Sequence, residues 1–214
     1  YSRAREGIGA PLVTVEVHLS NGLPTLSIVG LPETTVKESK DRVRAALLNA
    51  RFEFPMRRIT VNLAPADLPK EGGRFDLPIA LGILVASRQI PPDRLREHEF
   101  IGELALTGEL RGIRGALSAA MQSRDAGRAL LLPAVNADEA ALVRDATVLS
   151  APHLLEVCEY LRGAKPLVPQ SCAATPAHIS SAGDLADVRG QHRAKRGLAI
   201  AAAGGHNLLM LGPP

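Results

Sequence analysis

The hydrophobic pattern at the start of the chain has the period of a β-strand. Apolar and polar residues alternate over residues 12–19, as expected for a strand with one buried face. Asn21-Gly22 follows, a pair that favours a tight turn, and a second apolar stretch covers residues 25–29. The sequence therefore predicts an antiparallel hairpin of these two strands.

Helical periodicity follows. Residues 33–50 carry apolar side chains three and four positions apart, which predicts an amphipathic helix, and residues 59–63 alternate as a further strand. Residues 76–86 are apolar on every side, which predicts a buried helix. Asp76 is expected to cap its N-terminus.

The second half of the chain alternates short strands with helices. Strands are predicted at residues 99–106, 129–132 and 147–149, and helices at 115–126, 136–144 and 152–161. A hairpin followed by such units indicates an α+β domain over residues 1–162. Residues 163–185 are rich in Pro, Ser and Ala and predict a linker. Residues 186–214 are expected to be the start of a second domain, with a helix over residues 192–203 and a strand over residues 207–211.

Composition and charge exclude several classes of protein. With 46% hydrophobic and 22% charged residues, the chain is neither a disordered tail nor a coiled-coil rod. Two cysteines are too few for a disulfide framework, and no apolar run approaches the length of a membrane span, which predicts a cytoplasmic protein. The first residues lack both Met and a signal core, so we expect an internal piece of a longer protein. The dispersed histidines and cysteines predict no metal site.

Basic residues concentrate between residues 34 and 60. This segment contains seven Lys and Arg and three acidic residues, a surplus of four positive charges. One interpretation is contact with DNA phosphates without base readout. The other is a solvated helix with ion pairs, joined to arginine contacts between subunits. The candidate DNA-binding residues are Lys37, Lys40, Arg44, Arg57 and Arg58.

The last residues, Gly212, Pro213 and Pro214, follow an apolar stretch. Many P-loops begin in this way, because a strand must deliver a turn whose N–H groups hold phosphates. The alternative is a strand that runs into an ordinary turn. A complete signature needs Gly, Lys and Ser or Thr after Pro214, and these residues are not in the chain.

Longer motifs favour the P-loop interpretation of the last residues. They are Gly22-Leu23-Pro24-Thr25-Leu26-Ser27-Ile28-Val29-Gly30-Leu31-Pro32, Pro65-Ala66-Asp67-Leu68-Pro69-Lys70-Glu71-Gly72-Gly73-Arg74-Phe75-Asp76-Leu77-Pro78, Thr107-Gly108-Glu109-Leu110-Arg111 and Asp187-Val188-Arg189-Gly190-Gln191. Over nearly the whole chain, this set resembles the magnesium-chelatase-like proteins of the ComM (YifB) type.

The resemblance implies a Lon-protease-like domain with the ribosomal S5 domain 2-like fold, followed by the start of an AAA+ ATPase domain. It also implies a homo-hexamer that uses ATP and Mg²⁺ to drive branch migration of DNA during natural transformation. Val188 and Gly190 would line the adenine pocket, and Gly212, Pro213 and Pro214 would begin the P-loop. No cofactor is expected on this chain by itself.

A Lon-type peptidase needs a serine nucleophile and a lysine base. Compared with that family, Arg74 stands at the serine position and Leu117 at the lysine position. No catalytic residue is therefore predicted. The alternatives to a DNA motor are a chelatase-type remodeller of a protein or cofactor complex, and a module that binds peptides at an open sheet edge.

Overall fold

The computed structural model describes residues 1–171 and 184–212, with all side chains in these ranges except those of Thr35 and Lys37. The chain divides into two compact units, Tyr1–Ala173 and Ala174–Pro214. The first unit is a mixed α+β structure with parallel strand pairs, which confirms the predicted α+β class. Residues 172–183 of the predicted linker lie outside the described residues.

The first unit contains nine strands and six helices among the described residues. The strands are β1 (Ser2–Arg3), β2 (Leu12–Ser20), β3 (Thr25–Val29), β4 (Arg58–Ala64), β5 (His98–Phe100), β6 (Glu103–Leu104), β7 (Leu110–Arg111), β8 (Ala129–Pro133) and β9 (Val148–Ala151). The helices are α1 (Thr34–Lys37), α2 (Ser39–Asn49), α3 (Asp76–Ala86), α4 (Ala116–Asp125), α5 (Ala137–Ala141) and α6 (Leu154–Leu161).

The larger sheet has the strand order β1-β2-β4-β3. β2 and β4 are antiparallel, and Val17 lies opposite Val61, so the alternating apolar residues of both strands share one face. Helix α3 packs against β2 on this face. Gly82 allows the close approach, because a Cβ on residue 82 would lie 2.5 Å from a methyl group of Val17.

The predicted hairpin of β2 and β3 is wrong. β4 lies between them and pairs with β3 in parallel, so β3, α1, α2 and β4 form a crossover unit. A type I′ turn needs positive φ at both central residues. Gly22 has φ +142°, but Asn21 is not among the residues with positive φ. The Asn-Gly pair therefore begins an arch rather than a tight turn.

The smaller sheet has the order β5-β8-β9, with all strands parallel, and β6 and β7 form a separate antiparallel pair. Successive residues of β8 pack into different cores, because strand side chains alternate between the two faces. Leu131 joins the core that contains α3, and Leu130 and Leu132 join a second core beneath α4 and α5. The parallel sheet is thus buried on both sides.

Several predicted boundaries change. The helix predicted at residues 33–50 is interrupted at Glu38, which separates α1 from α2. The strand predicted at residues 99–106 is divided between β5 and β6, and the helix predicted at residues 136–144 is shorter. The buried helix predicted at residues 76–86 is confirmed as α3.

The capping role predicted for Asp76 is wrong. Phe75 is the residue that precedes α3, and the fully buried Asp76 carboxylate accepts hydrogen bonds from Arg42 at 2.7 and 3.1 Å. It also accepts the backbone N–H of Leu104 at 3.2 Å. A buried carboxylate needs such partners, and these connect α2, α3 and β6.

The second unit contains the predicted helix as α7 (His192–Gly204). The strand predicted at residues 207–211 is not formed, and Leu208, Leu209, Met210 and Leu211 are exposed. A strand requires backbone hydrogen bonds from a neighbouring strand, and the described part of this unit offers none. Apolar sequence alone could not reveal this.

Candidate functional site

A basic groove on the first unit gathers three of the five candidate DNA-binding residues. Lys40, Arg44 and Arg57 line a cavity of about 220 Å³, whose apolar lining includes Phe54. Asp41 is the one carboxylate that lines it within the described residues. We call these lining residues the basic groove.

Helix α2 and the segment before β4 position these cations. Lys40 and Arg44 are one helical turn apart and therefore lie on the same side of α2, while Val43 and Leu47 anchor the helix in the core. The guanidinium carbon of Arg44 lies 5.2 Å from the centre of the Phe54 ring, a cation–π contact that orients the side chain.

The other two candidate residues lie outside the groove lining. Arg58 is exposed at the start of β4, opposite Ser20 on β2 and Thr25 on β3. Lys37 belongs to α1, and its side chain is outside the described residues. A role for any of the five residues in DNA binding stays a prediction.

Arg42 belongs to the same basic segment, but it points into the fold. Its hydrogen bond with Asp76 is the main reason that its pKa is raised, and the carboxylate of Glu38, the residue just before α2, lies 3.9 Å away. The surplus of positive charge on the surface is therefore smaller than the sequence count suggests.

A second cavity, of about 290 Å³, is lined by Arg74, which stands at the position compared with the Lon serine, but not by Leu117. We call it the arginine cavity. Its charged lining residues are Arg5, Glu71, Arg74, Glu103 and Arg114.

Arg74, at the position that the comparison with Lon assigns to serine, donates hydrogen bonds to the carbonyls of Arg3 at 3.2 Å and Arg114 at 2.5 Å. Leu117, at the lysine position, is partly exposed on α4. Within the described residues, no serine hydroxyl is hydrogen-bonded to a lysine.

Known proteins match this chain along its length. A family model described as subunit ChlI of Mg-chelatase matches residues 15–136, and a second, described as magnesium chelatase, subunit ChlI, matches residues 184–214. The competence protein ComM of Haemophilus influenzae is 55% identical over 100% of this chain and 43% of its own length. Two proteins named YifB, from Escherichia coli and Salmonella typhimurium, are each 53% identical over 100% of the chain and 42% of their own length.

The chain belongs to the ComM/YifB family of magnesium-chelatase-like proteins. It spans less than half the length of these relatives. The matched length includes the segments that form the basic groove, the arginine cavity and the second unit.

The candidate nucleotide-binding residues of this family member lie in the second unit. Val188 is partly exposed, Gly190 has φ +69° just before α7, and Gly212 follows the exposed apolar stretch. Pro213 and Pro214 lie outside the described residues. No strand within residues 184–212 delivers Gly212 to a helix N-terminus, so these residues do not by themselves form a phosphate cradle.

Lys70 is a buried cation that sequence reasoning treated only as part of a motif. Its side chain is fully buried and donates a hydrogen bond to the Pro65 carbonyl. Burial lowers its pKa, and the nearby Asp67 carboxylate partly opposes this effect. The sequence around Lys70 did not indicate burial, because lysine side chains usually lie on the protein surface.

Metal-binding side chains do not cluster in the described part of the chain, where no three His, Cys, Asp or Glu residues come together. Cys158 is buried, and burial raises the pKa of its thiol to about 12. No helix among the described residues is long and apolar enough to cross a membrane.

Proposed function

We propose that this chain is the N-terminal part of a homo-hexameric AAA+ motor that acts on DNA. In this proposal, residues 1–162 form a non-proteolytic Lon-like domain with the S5 domain 2-like fold, residues 163–185 a linker, and residues 186–214 the start of the ATPase domain. The first domain orders the subunits and guides DNA along the basic groove.

The observation that carries the DNA assignment is the basic groove. Two cations from α2 and one from the segment before β4 line one cavity, against a single lining carboxylate of the described residues. Flexible Lys and Arg side chains on a surface suit phosphate contact without sequence readout, which a motor that moves along DNA needs.

The motor assignment is supported by the relatives. ComM of Haemophilus influenzae is named a competence protein, and for this chain we propose a role in branch migration of DNA during natural transformation. The chelatase family models support use of ATP and Mg²⁺ by the whole protein. The chemistry of ATP hydrolysis would require P-loop residues that this chain does not contain.

A second candidate is a chelatase-type remodeller of a protein or cofactor complex. Both family models carry the name of a magnesium chelatase subunit. In such a protein the basic groove would contact another subunit or an acidic partner instead of DNA.

DNA binding to the 214-residue chain separates these candidates. We would measure the fluorescence anisotropy of labelled duplex and forked DNA at several salt concentrations. We expect weak binding without sequence preference, with a log–log salt slope of about 0.9 for each phosphate contacted. The variant Arg44→Glu/Arg57→Glu should bind at least about tenfold more weakly, because two phosphate contacts become repulsive.

The matched control is Arg96→Glu/Arg144→Glu, which makes the same change in net charge at two exposed arginines outside the groove. An equal loss of DNA affinity in both variants would mean that DNA is attracted by the overall positive charge and not by the groove. Unchanged affinity in the groove variant, together with loss of subunit association in the whole protein, would assign the groove to a subunit interface and contradict the DNA function.

A further inference from the structure

The arginine cavity contains a buried cation, Arg74, that has no acidic partner among the described residues. Only 5% of Arg74 is exposed, yet no carboxylate of the described residues lies within 4 Å of its guanidinium. Arginine has five N–H donors, and Arg74 uses two of them on the carbonyls of Arg3 and Arg114. A buried charge without a counter-ion is unfavourable unless something compensates it.

A second cation, Arg5, is held close to Arg74. The side chains of Arg5 and Arg74 both come within 3.9 Å of the point where a Cβ on Gly115 would stand. Burial, followed by the charge of Arg5, lowers the pKa of Arg74 to about 10, while Glu71 opposes this effect. Like charges brought together repel each other, and an anion bound in the adjoining cavity would relieve this repulsion.

The carboxylates of the cavity leave part of this charge uncompensated. Glu71 pairs with Arg5 at 3.4 Å, and Glu103 has its nearest cation, Arg111, at 3.9 Å. Arg74 and Arg114 are the two lining cations that form no ion pair within the described residues. Their guanidinium groups can bind oxygen pairs in a bidentate manner.

We propose that the arginine cavity binds a small phosphate monoester, with Arg74 and Arg114 as its principal ligands. A monoester is nearly a dianion at neutral pH, which matches two unpaired cations better than a single carboxylate does. The cavity of about 290 Å³ accommodates a small molecule. This site is separate from the basic groove and does not depend on the proposed DNA function.

Inorganic phosphate is the probe. We would titrate the ¹⁵N-labelled chain at pH 8 and follow the amide signals of Gly72, Gly73 and Gly112, which line the cavity. We expect saturable shifts of these signals. Arg114→Gln should weaken binding about tenfold, as expected for loss of one charge-assisted contact. Arg74→Gln should do the same, and the exposed Arg114 keeps the test decisive if the Arg74 variant does not fold.

Two further variants test the electrostatic argument. Glu71→Gln should tighten phosphate binding about threefold, because it releases Arg5 from its carboxylate partner. Arg96→Gln, which removes an exposed charge outside the cavity, should leave affinity unchanged. The proposal is overturned if phosphate gives no saturable shift, if acetate binds equally well, or if Arg96→Gln weakens binding as much as Arg114→Gln.

Discussion

At the scale of single residues, buried charge concentrates around Glu99. Its fully buried carboxylate accepts two hydrogen bonds from Arg3 at 2.6 Å, one from Ser123 at 2.9 Å and one from Arg128 at 3.0 Å. Burial alone would raise the pKa of Glu99, but the contacts with Arg3, and then those with Ser123 and Arg128, leave it below its ordinary value. This cluster joins β1, β5 and α4.

The lowered pKa predicts how stability depends on pH. Glu99 stabilises the fold fully above 4.5, the ordinary pKa of glutamate, and this stabilisation is lost as the pH falls through the lower folded value. Glu99→Gln should lower the free energy of unfolding at pH 7 by about 3 kcal/mol or more, because Arg3 loses its partner. Urea unfolding should show this deficit narrowing below pH 4.5.

The control for this prediction is Glu97→Gln, at an exposed carboxylate two residues away. It should change the free energy of unfolding by less than about 0.5 kcal/mol at either pH. A deficit for Glu99→Gln that stays constant between pH 7 and pH 3 would contradict the assigned pKa direction.

At the scale of elements, the close approach of β3 to β4 depends on one glycine. Gly30, just after β3, has φ +99°, and a Cβ there would overlap the Leu63 carbonyl on β4. Gly30→Ala should therefore lower the free energy of unfolding by about 3 kcal/mol or more, since backbone strain and steric overlap add. Thermal or urea unfolding measures this loss.

Gly127→Ala is the matched comparison. Gly127 also has positive φ, +66°, but nothing lies within 4 Å of its added Cβ. It should cost only about 1 kcal/mol, the penalty for an alanine with positive φ. Equal losses at the two positions would show that the contact with β4 is unimportant.

The same elements show how far the sequence could predict the fold. β2 and α3 were predicted closely, because their apolar spacing is a local property of the chain. The neighbours of β3 were not, since strand order depends on which distant residues are buried together. Asp76 was given a local role as a cap, although its partners Arg42 and Leu104 are about 30 residues away in sequence.

At the scale of the whole molecule, the two candidate sites differ in how visible they were. The basic groove draws on a dense run of cations, so charge counting indicated Lys40, Arg44 and Arg57. The arginine cavity joins Arg5, Arg74 and Arg114 from three distant parts of the chain. Comparison of motifs indicated Arg74 only as the residue at the position of a Lon serine. Neither its burial nor its lack of an ion-pair partner among the described residues can be read from a sequence.

The division into two units leads to the last prediction. Every core residue of the described chain lies in the first unit, and α7 buries none of its residues. A chain of residues 1–173 should therefore have the same melting temperature as the 214-residue chain, to within about 2 °C. It should also bind less of the dye ANS, because the exposed apolar stretch Leu208-Leu209-Met210-Leu211 is removed.

A control chain with Leu209→Ser and Leu211→Ser keeps the full length and should likewise bind less dye without a change in melting temperature. A clear fall in melting temperature on truncation would mean that the second unit stabilises the first, contrary to this prediction.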